Sequence, residues 1–548
     1  MTDGGRPGGR KGGRKDAAAR VVRAAEKLRS AAKGALQWAR RRPITETASP
    51  RLALASWTAA LDASGPVRRR VMVVASRNLT WIEWAVYATC QLRRLGVATT
   101  LVYSSAEVKR AYPLTRVPGA RRLGFWAGVA KIPNVRLVDL DDWLPAPAQA
   151  AAYAAFARDY APSVAAYDLH VEEGEDGPRG GTYRREVARA EVMLAKTAAA
   201  FERILRANPV SRVVCYSGLI GRSPALHEAA RRAGVSFLTV EGWTWRPGHM
   251  ICNLDAPALE YNIDGWRRAV GGWDAARENE AFRLLRFQED AGGADAALAR
   301  LQRAQRRSAT DPLPPAAAAF RERRGPMFLL ATNVVGDSSI LRRHPIFRNQ
   351  RDWVRQTIGF FRSRPGWNLI VRAHPDEARM PKGKRVVRMG DVAREAAGDA
   401  RNVFVISGDE DTSTYALLPG LAGGLVWMSS IGADMVARGI PVIAAARPKY
   451  HDLGLVDEPP TIPKYFEALA RLAPGGVHPT ADQQADARQY LSLVFSEFSF
   501  DAFSPSYRAV DLFLDGPSSP SDAEVFYRIV AGDLPPETPP RRESRRVA

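Results

Sequence analysis

The chain has 548 residues, of which 46% are hydrophobic and 25% charged, an ordinary composition for a globular protein of two or three domains. No run approaches the ~18 consecutive apolar residues of a membrane-spanning helix, and the N-terminus lacks the apolar core of a signal peptide, so neither insertion nor export is expected. Cys90, Cys215 and Cys252 lie far apart in the sequence. This spacing argues against a disulfide framework or a structural zinc site, and it favours buried, reduced thiols in a cytoplasmic protein.

The net charge of +21 is unevenly distributed along the chain. An N-terminal arm, residues 1–50, holds thirteen Lys and Arg residues against four Asp and Glu. Residues 4–15 are glycine-rich and polar, and residues 17–41 have the pattern of a basic amphipathic helix that contains Trp38. Such a helix suits an anionic membrane surface, which would place the protein at the inner face of the plasma membrane. A solvated arm is the alternative. Nucleic acid ranks below both, because no basic motif interleaved with aromatic residues follows.

A first folded domain is predicted over residues 68–270, where short apolar runs alternate with helical patterns. Its predicted strands are 71–75, 99–103, 135–140, 212–216 and 236–240. Its predicted helices are 79–95, 184–208 and 223–233. A helical, charge-rich bridge and a Pro-rich linker over 271–320 separate this domain from the next.

A second domain is predicted over residues 325–475, followed by C-terminal helices over 476–534 and a disordered tail over 535–548. Its predicted strands are 326–331, 368–373, 403–407, 425–428 and 440–444, with helices near 349–361, 413–418 and 433–438. Strands that alternate with helices predict an α/β protein with two doubly wound, Rossmann-like domains facing a cleft.

Polar residues follow three of the predicted strands of the second domain. Asn333 and Asp337 follow the first, Arg372 and His374 lie at the end of the second, and the Ser429–Ser430 turn follows the fourth. Ligands bind beyond the carboxyl ends of strands in such sheets, so these loops predict a ligand site. A fixed cation and a titratable donor suit a nucleotide phosphate.

The turn after the fourth strand feeds directly into a short helix through Gly432. Free backbone N–H groups at a helix start favour an anion such as phosphate, and Asp434 could accept hydrogen bonds from a sugar or ribose hydroxyl. An ordinary βαβ unit with a serine N-cap is the alternative.

A set of motifs in this region resembles the capsular polysaccharide biosynthesis family of bacterial glycosyltransferases. The motifs are Thr332-Asn-Val-x-x-Asp337, Arg372-x-His-Pro-x-Glu377, Ser429-Ser-Ile-Gly432, Gly439-Ile-Pro-Val-Ile443 and Tyr450-His-x-x-Gly454. The family includes Kdo transferases, is similar in its sites to bacterial sialyltransferases, and has the GT-B fold. The likeness covers residues 326–472 and is thinner in the first domain. The sequence departs from the pattern of the family at three positions. Asp434 replaces a residue that is commonly Glu, Ser430 one that is commonly Thr, and Val335 one that is expected to be aromatic.

The resemblance implies a GT-B glycosyltransferase that transfers a sugar from a nucleotide-activated donor, CMP-linked sugars being one option, to a capsule polysaccharide or glycolipid acceptor. It implies no cofactor and no metal, and the acidic run 409–411 is interpreted as a solvated loop. A nucleotide-sugar epimerase of the same fold and a membrane-tethered, non-catalytic assembly factor are the alternatives.

Glu241 is the candidate general base, because it follows a predicted strand of the first domain and should face the cleft. Trp243 and Trp245 would offer flat faces on which a sugar could stack. A structural pairing of Glu241 with Arg246 is the alternative, and Asp337 and Glu260 are the next candidates for the base.

Overall fold

The computed structural model describes residues 67–75, 79–111, 129–130, 132–173, 181–242, 249–271, 312–379, 387–410, 412–473, 476–494, 498, 500–501 and 520–538. The predicted amphipathic arm, most of the predicted bridge and the end of the predicted tail lie outside these residues. So do Trp243, Trp245 and Arg246. Among the described helices, none combines the length and apolar character needed to cross a membrane.

The first sheet has seven strands in the order β12-β6-β5-β4-β1-β2-β3. Its strands are β1 Arg69–Ala75, β2 Val97–Tyr103, β3 Val135–Asp139, β4 Arg212–Tyr216, β5 Ser236–Gly242, β6 His249–Leu254 and β12 Phe500–Asp501. The five strands from β5 to β3 are parallel, whereas β6 runs antiparallel to β5, and β12 antiparallel to β6. Alternation of strands and helices predicts parallel strands, so β6 and β12 are the two strands at this edge that depart from the prediction. Six residues connect β5 to β6, too few for the crossover that a parallel pair requires.

Helices cover the first sheet on both faces. They are α1 Leu79–Arg94, α2 Ser105–Ala111, α3 Ala154–Leu169, α4 Thr182–Ala207, α5 Ser223–Arg232 and α6 Ile263–Val270. The central strands are buried along nearly their whole length, as in β1, where Val71 to Ala75 are all inaccessible to solvent. Such strands must be covered by helices on both sides, which the predicted α/β alternation anticipated.

The second sheet has five parallel strands in the order β11-β10-β7-β8-β9. They are β7 Met327–Ala331, β8 Asn368–Arg372, β9 Val403–Ile406, β10 Gly423–Val426 and β11 Val442–Ala444. Its helices are α7 Pro315–Arg321, α8 Gln350–Arg362, α9 Met389–Ala397, α10 Ile431–Ala437 and α11 Ile462–Leu472. The strand order reverses between β7 and β10, and this switch point opens a crevice at the carboxyl edge of the sheet.

The C-terminal segment is shared between the two sheets. Helix α12, Ala481–Ser492, packs on α10, whereas α13, Pro520–Ala531, packs on α1 and β12. Arg69 pairs with Asp533 at 3.0 Å and donates to the Gly532 carbonyl at 2.9 Å. The chain thus returns to the first sheet after it has completed the second.

The loop after β7 connects the second domain to the first. Arg342 pairs with Asp159 at 2.8 Å, and Arg343 pairs with Glu260 at 2.9 Å. A Cβ on Gly336 would collide with the backbone of residue 170, so the two domains approach within van der Waals contact there. Two Rossmann-like units facing each other are the GT-B arrangement, which confirms the expected fold.

Candidate functional site

Three loops of the second sheet meet at its carboxyl edge, as the sequence predicts. The Thr332 N–H donates to the Arg372 carbonyl at 3.1 Å, and the His374 N–H donates to Thr332 Oγ1 at 3.2 Å. Across the switch point, the Met428 N–H donates to Asn333 Oδ1 at 3.4 Å. The loops after β7, β8 and β10 are therefore joined directly to one another.

Asn333 is buried and holds the loop after β7 in place. Gln350 at the start of α8 accepts from the Asn333 N–H at 2.6 Å and donates to its carbonyl at 3.1 Å. The Asn333 side chain lies against Met428 at the end of β10. Asn333 thus fixes the loop after β7 against β10, and its predicted contact with the nucleotide stays a prediction.

Arg372 is buried, and its predicted role as a phosphate ligand stays a prediction. The residue is 2% exposed, and its guanidinium donates to the carbonyls of Ser407, of Glu410 at 3.4 Å and of Thr412 at 3.0 Å. A planar cation at the end of a buried strand needs several acceptors, and the loop after β9 supplies them. Arg372 therefore shapes that loop.

His374 retains access to the crevice, because its side chain is 29% exposed. Its Nδ1 accepts from the Asp376 N–H at 3.2 Å, which places the proton of the neutral ring on Nε2. The imidazole can thus donate one hydrogen bond to a ligand, in a fixed orientation.

The turn after β10 presents its hydroxyls at the same edge. Ser430 is exposed and Ser429 half-buried, and Ser430 makes no side-chain cap to α10, contrary to the N-cap alternative. The Tyr450 hydroxyl donates to the Ser429 carbonyl at 2.7 Å and lies against Gly432, where a Cβ would collide with it. The glycine is thus needed because the tyrosine fixes the turn from below.

Asp434 lies on the buried face of α10, and its predicted contact with a sugar hydroxyl stays a prediction. The residue is 1% exposed, and its carboxylate is 3.5 Å from Arg438, one turn further along the helix. Because α10 begins immediately after the turn, its fourth residue points toward the core rather than toward the crevice.

The acidic run after β9 is the exposed loop that the sequence indicates, as far as its described residues show. Asp409 and Glu410 are exposed, and Glu410 accepts from the Ser407 N–H at 2.7 Å. Within the described part of the chain, no group of three or more His, Cys, Asp or Glu side chains is arranged to hold a metal ion. Cys90, Cys215 and Cys252 are all buried, and none of these three described residues forms a disulfide bond.

Glu241 is the penultimate residue of β5 and lies half-buried at the carboxyl end of that strand, opposite Ile251 of β6. Its charge acts on Tyr261 of its own domain and on Lys449 of the second domain. Glu241 is therefore close to the second domain. Asp337 is exposed and caps the turn after it by accepting from the Ser339 N–H at 2.7 Å.

A charged cluster between the domains was not predicted. Lys449, in the loop after β11, donates to the Tyr261 hydroxyl at 3.4 Å, and its ammonium lies 5.2 Å from the ring centroid. Burial, reinforced by Arg343, lowers the pKa of Lys449 from 10.5 to about 8, although nearby carboxylates oppose the shift. In the sequence, Lys449 is marked only by its position beside the Tyr450 motif. Its partner Tyr261 lies 188 residues away, so the local sequence does not indicate their contact.

Residues 290–473 match the family model described as Capsule polysaccharide biosynthesis protein. This segment contains all five strands of the second sheet and the three loops that meet at its edge. The resemblance inferred from the sequence is thereby confirmed over residues 290–473. A comparison with curated proteins finds no match.

Among solved structures, the chain is similar to two Thermosulfurimonas dismutans KpsC structures. The beta Kdo 2,7 transferase is 11% identical, with 55% of this chain and 82% of that chain covered and a TM-score of 0.32. The beta Kdo 2,4 transferase is 16% identical over 54% and 82%, also with a TM-score of 0.32. The UDP-GlcNAc 2-epimerase from Neisseria meningitidis is 10% identical over 78% and 97%, with a TM-score of 0.25.

Proposed function

We propose that the protein is a glycosyltransferase that moves a sugar from a nucleotide-activated donor to a capsule or other surface polysaccharide, or to its glycolipid precursor. The observation that carries this proposal is the arrangement of polar groups on the two sides of one cleft. His374 and the Ser429–Ser430 turn lie on the second sheet, Glu241 lies on the first, and Lys449 bridges the two. Transfer of a group between two substrates needs such a two-sided site.

In this proposal the second domain binds the donor. His374 Nε2–H and the Ser430 hydroxyl donate to the phosphate that leaves with the nucleotide, and they stabilise the negative charge that develops on it. Arg372, Asn333 and Asp434 act indirectly, because each is buried beneath the loops that carry these donors. A CMP-linked sugar is one donor that this chemistry accommodates.

The first domain binds the acceptor, and Glu241 removes the proton from the attacking hydroxyl. The carboxylate is half-buried at a strand end, where it can accept a proton without being fully exposed to water. Trp243 and Trp245 follow it directly in the sequence and would provide stacking faces for the acceptor sugar.

In the proposed reaction, hydrogen-bond donors of the protein stabilise the negative charge of the leaving group, and no metal or other cofactor is needed for this step. Addition of a chelator should therefore leave the rate unchanged. The family match over residues 290–473 supports a role in capsule biosynthesis, and a basic arm that binds anionic lipid would hold the enzyme beside a lipid-linked acceptor.

The test is a two-stage binding and transfer assay on the full-length protein. A panel of free nucleotides and nucleotide sugars is first screened for those that raise Tm, since a ligand of the native state stabilises it. The best donor, carrying a labelled sugar, is then incubated with membrane glycolipid and polysaccharide acceptors. Label that appears in acceptor, together with free nucleotide, supports the proposal.

The rival functions give different results in the same assay. Conversion of the sugar nucleotide without any acceptor would identify an epimerase. If no nucleotide changes Tm, a non-catalytic assembly factor becomes the better explanation.

A further inference from the structure

Glu172 belongs to the first domain and is fixed there by the end of α3. That helix ends at Leu169, and His170 after it has a left-handed backbone conformation, with φ 53°. The Val171 N–H then donates to the Ala166 carbonyl at 3.0 Å, so the chain turns back on the helix. Glu172 follows this turn and is 5% exposed, a degree of burial that a carboxylate reaches only with a partner.

The carboxylate of Glu172 lies at the first turn of α8, which belongs to the second domain. One oxygen accepts from the Arg351 N–H at 3.2 Å, and the other lies 3.6 Å from Arg351 Nε. The N–H groups at the start of a helix lack partners within the helix, and the helix dipole favours a negative charge there. A residue of the first domain thus completes the start of a helix of the second.

The start of α8 is in turn joined to the Ser429–Ser430 turn after β10, which we call the donor turn. Gln350, the first residue of α8, accepts from the Asn333 N–H at 2.6 Å and donates to its carbonyl at 3.1 Å. The Asn333 carboxamide accepts from the Met428 N–H at 3.4 Å, and the donor turn follows directly. A series of hydrogen bonds between adjacent residues therefore runs from Glu172 to the donor turn.

The loop that joins Asn333 to α8 is held by the first domain at a second point. Leu341 is 3% exposed and belongs to the apolar cluster that contains the buried face of α3. Arg342 pairs with Asp159 at 2.8 Å, and its guanidinium lies 4.0 Å from the centre of the Tyr160 ring. Arg342 has φ 57°, a left-handed conformation that persists in a non-glycine residue only where contacts hold it. The first domain therefore shapes this loop at its middle as well as at the start of α8.

We propose that Glu172 is a positioning residue of the donor site: from the first domain, it fixes the start of α8 and thereby holds the donor turn in the arrangement that binds the donor phosphate. This inference rests on the proposed function, in which the donor turn is part of the nucleotide-sugar site. Glu172 does not touch the donor and takes no part in the chemical step. Donor affinity then depends on the contact between the domains, and the donor stabilises that contact to the same degree, because coupling of this kind is reciprocal.

Hydrogen exchange of the full-length protein tests this link without any ligand. In Glu172→Ala, the backbone amides of residues 349–354 and 425–433 should exchange faster, because the start of α8 and the donor turn lose support. The amides of α9, over Met389–Ala397, should exchange as in the wild type. Circular dichroism checks that the variant is folded. If the amides of residues 425–433 keep their wild-type rates, the inference is wrong, whatever the enzyme transfers.

Two further variants separate the Glu172 carboxylate from general effects of substitution. Glu172→Gln keeps an oxygen that can accept from the Arg351 N–H, so its exchange should lie between that of the wild type and that of Glu172→Ala. Glu395→Ala removes an exposed carboxylate 3.2 Å from Arg355, a pair that also involves α8 but lies within the second domain. It should leave exchange at the donor turn unchanged. An equal effect of Glu395→Ala would contradict the inference.

A double-mutant cycle tests the route through α8. Gln350→Ala removes the side chain that holds Asn333 and should itself speed exchange at the donor turn. Glu172→Ala, added to Gln350→Ala, should then cause little further change over residues 425–433, because the route is already broken. Fully additive effects would show that Glu172 does not act through α8, and they would overturn the proposal.

The split between KM and kcat supplies the functional readout. Glu172→Ala should raise the Kd for CMP or UDP, whichever the wild type binds, and the KM for the corresponding donor by roughly three- to tenfold, as expected of a residue that acts through others. At saturating donor, kcat should stay near that of the wild type, because the groups proposed to carry out the transfer are unchanged. Glu395→Ala should match the wild type in both quantities. A fall in kcat with an unchanged KM would overturn the inference.

The two proposals fail in different ways. If exchange at the donor turn responds to Glu172→Ala but the protein binds neither CMP nor UDP and uses no nucleotide sugar, the proposed function is wrong while the link from Glu172 to the turn is established. If the protein transfers sugar and Glu172→Ala keeps the wild-type exchange and KM, the proposed function stands and the role of Glu172 is removed.

Discussion

At the scale of single residues, burial divides the predicted site residues into those that are accessible at the crevice and those that are covered by other residues. His374 and Ser430 reach the crevice, while Arg372 and Asp434 are 2% and 1% exposed. The sequence could place all four at strand ends, because strand ends follow from apolar runs. It could not tell which way each side chain points, since an arginine that binds a phosphate and one that binds carbonyls look alike in a sequence.

His374→Ala should reduce kcat strongly without unfolding the protein. Loss of one fully used donor to a developing negative charge typically costs ~2.7–4 kcal/mol, about 10²–10³ in rate. Ser430→Ala should cost less, because the hydroxyl is exposed and water can replace it. Steady-state kinetics with the donor found in the Tm screen, together with circular dichroism, measure both effects. A wild-type rate for His374→Ala would refute the phosphate role.

Arg372→Met should act on stability rather than on catalysis. The substitution leaves the carbonyls of Ser407, Glu410 and Thr412 without their donor, and each hydrogen bond to a charged group contributes about 1.5–3 kcal/mol. We expect a clear fall in the urea midpoint, with kcat per folded molecule near that of the wild type. A normal midpoint with a raised KM for the donor would restore Arg372 as a ligand.

Glu241→Gln keeps the shape of the side chain and removes its basicity. It should lower kcat while leaving the affinity for the donor nucleotide nearly intact, because Glu241 belongs to the opposite domain. Stopped-assay kinetics and nucleotide titration separate the two quantities. Should nucleotide binding be lost instead, Asp337 or Glu260 would become the better candidate for the base.

At the scale of elements, most strands were predictable, whereas one edge strand and some helices were not. Strand β4 has the predicted bounds, since Arg212–Tyr216 is a compact apolar run after a long helix. Helix α3 was not predicted, because alanines lie on all its sides and it contains Pro162. Its sequence therefore lacks the periodic pattern of apolar residues that indicates an amphipathic helix. The antiparallel strand β6 was not predicted, because its pairing with β5 depends on the short connection between them rather than on the composition of β6.

Helix α9 shows how a distant side chain can begin an element. Glu377 is 3% exposed and accepts from the N–H groups of Met389 at 2.9 Å and Gly390 at 3.3 Å. Burial raises its pKa from 4.5 to about 7, despite these backbone donors. The Arg372-x-His-Pro-x-Glu377 motif thus contains an acid that anchors the next helix.

This raised pKa predicts a pH-dependent stability. A carboxyl with a higher pKa in the folded state contributes stability that is complete below about pH 4.5 and is lost as the pH rises through about 7. The difference is on the order of 3 kcal/mol. Glu377→Gln should flatten the free energy of unfolding over this range, measured by urea titration at several pH values. The exposed Glu467→Gln serves as control, and a Glu377→Gln profile parallel to the wild type would contradict the assignment.

At the scale of the whole molecule, contacts between residues far apart in the sequence join the two domains within the described part of the chain. The loop after β7 pairs with the first domain through Arg342 and Arg343. The C-terminal segment returns through α13 to the start of β1, where Arg69 meets Asp533. Lys449 spans the cleft itself. None of these contacts could be predicted from sequence, because each joins residues separated by far more than one element of secondary structure.

The prediction for the N-terminal arm concerns binding of the whole protein to a membrane surface. With thirteen basic residues against four acidic ones over residues 1–50, the full-length protein should co-sediment with vesicles that contain anionic lipid. A variant that lacks residues 1–42 should stay in the supernatant, and neutral phosphatidylcholine vesicles should bind neither protein. Binding should weaken as salt rises from about 0.1 to 0.5 M, because screened Coulombic attraction supplies much of it. Equal sedimentation of the full-length and shortened proteins would show that the arm is not the membrane-binding element, and the surface of the folded domains would have to supply the contact instead.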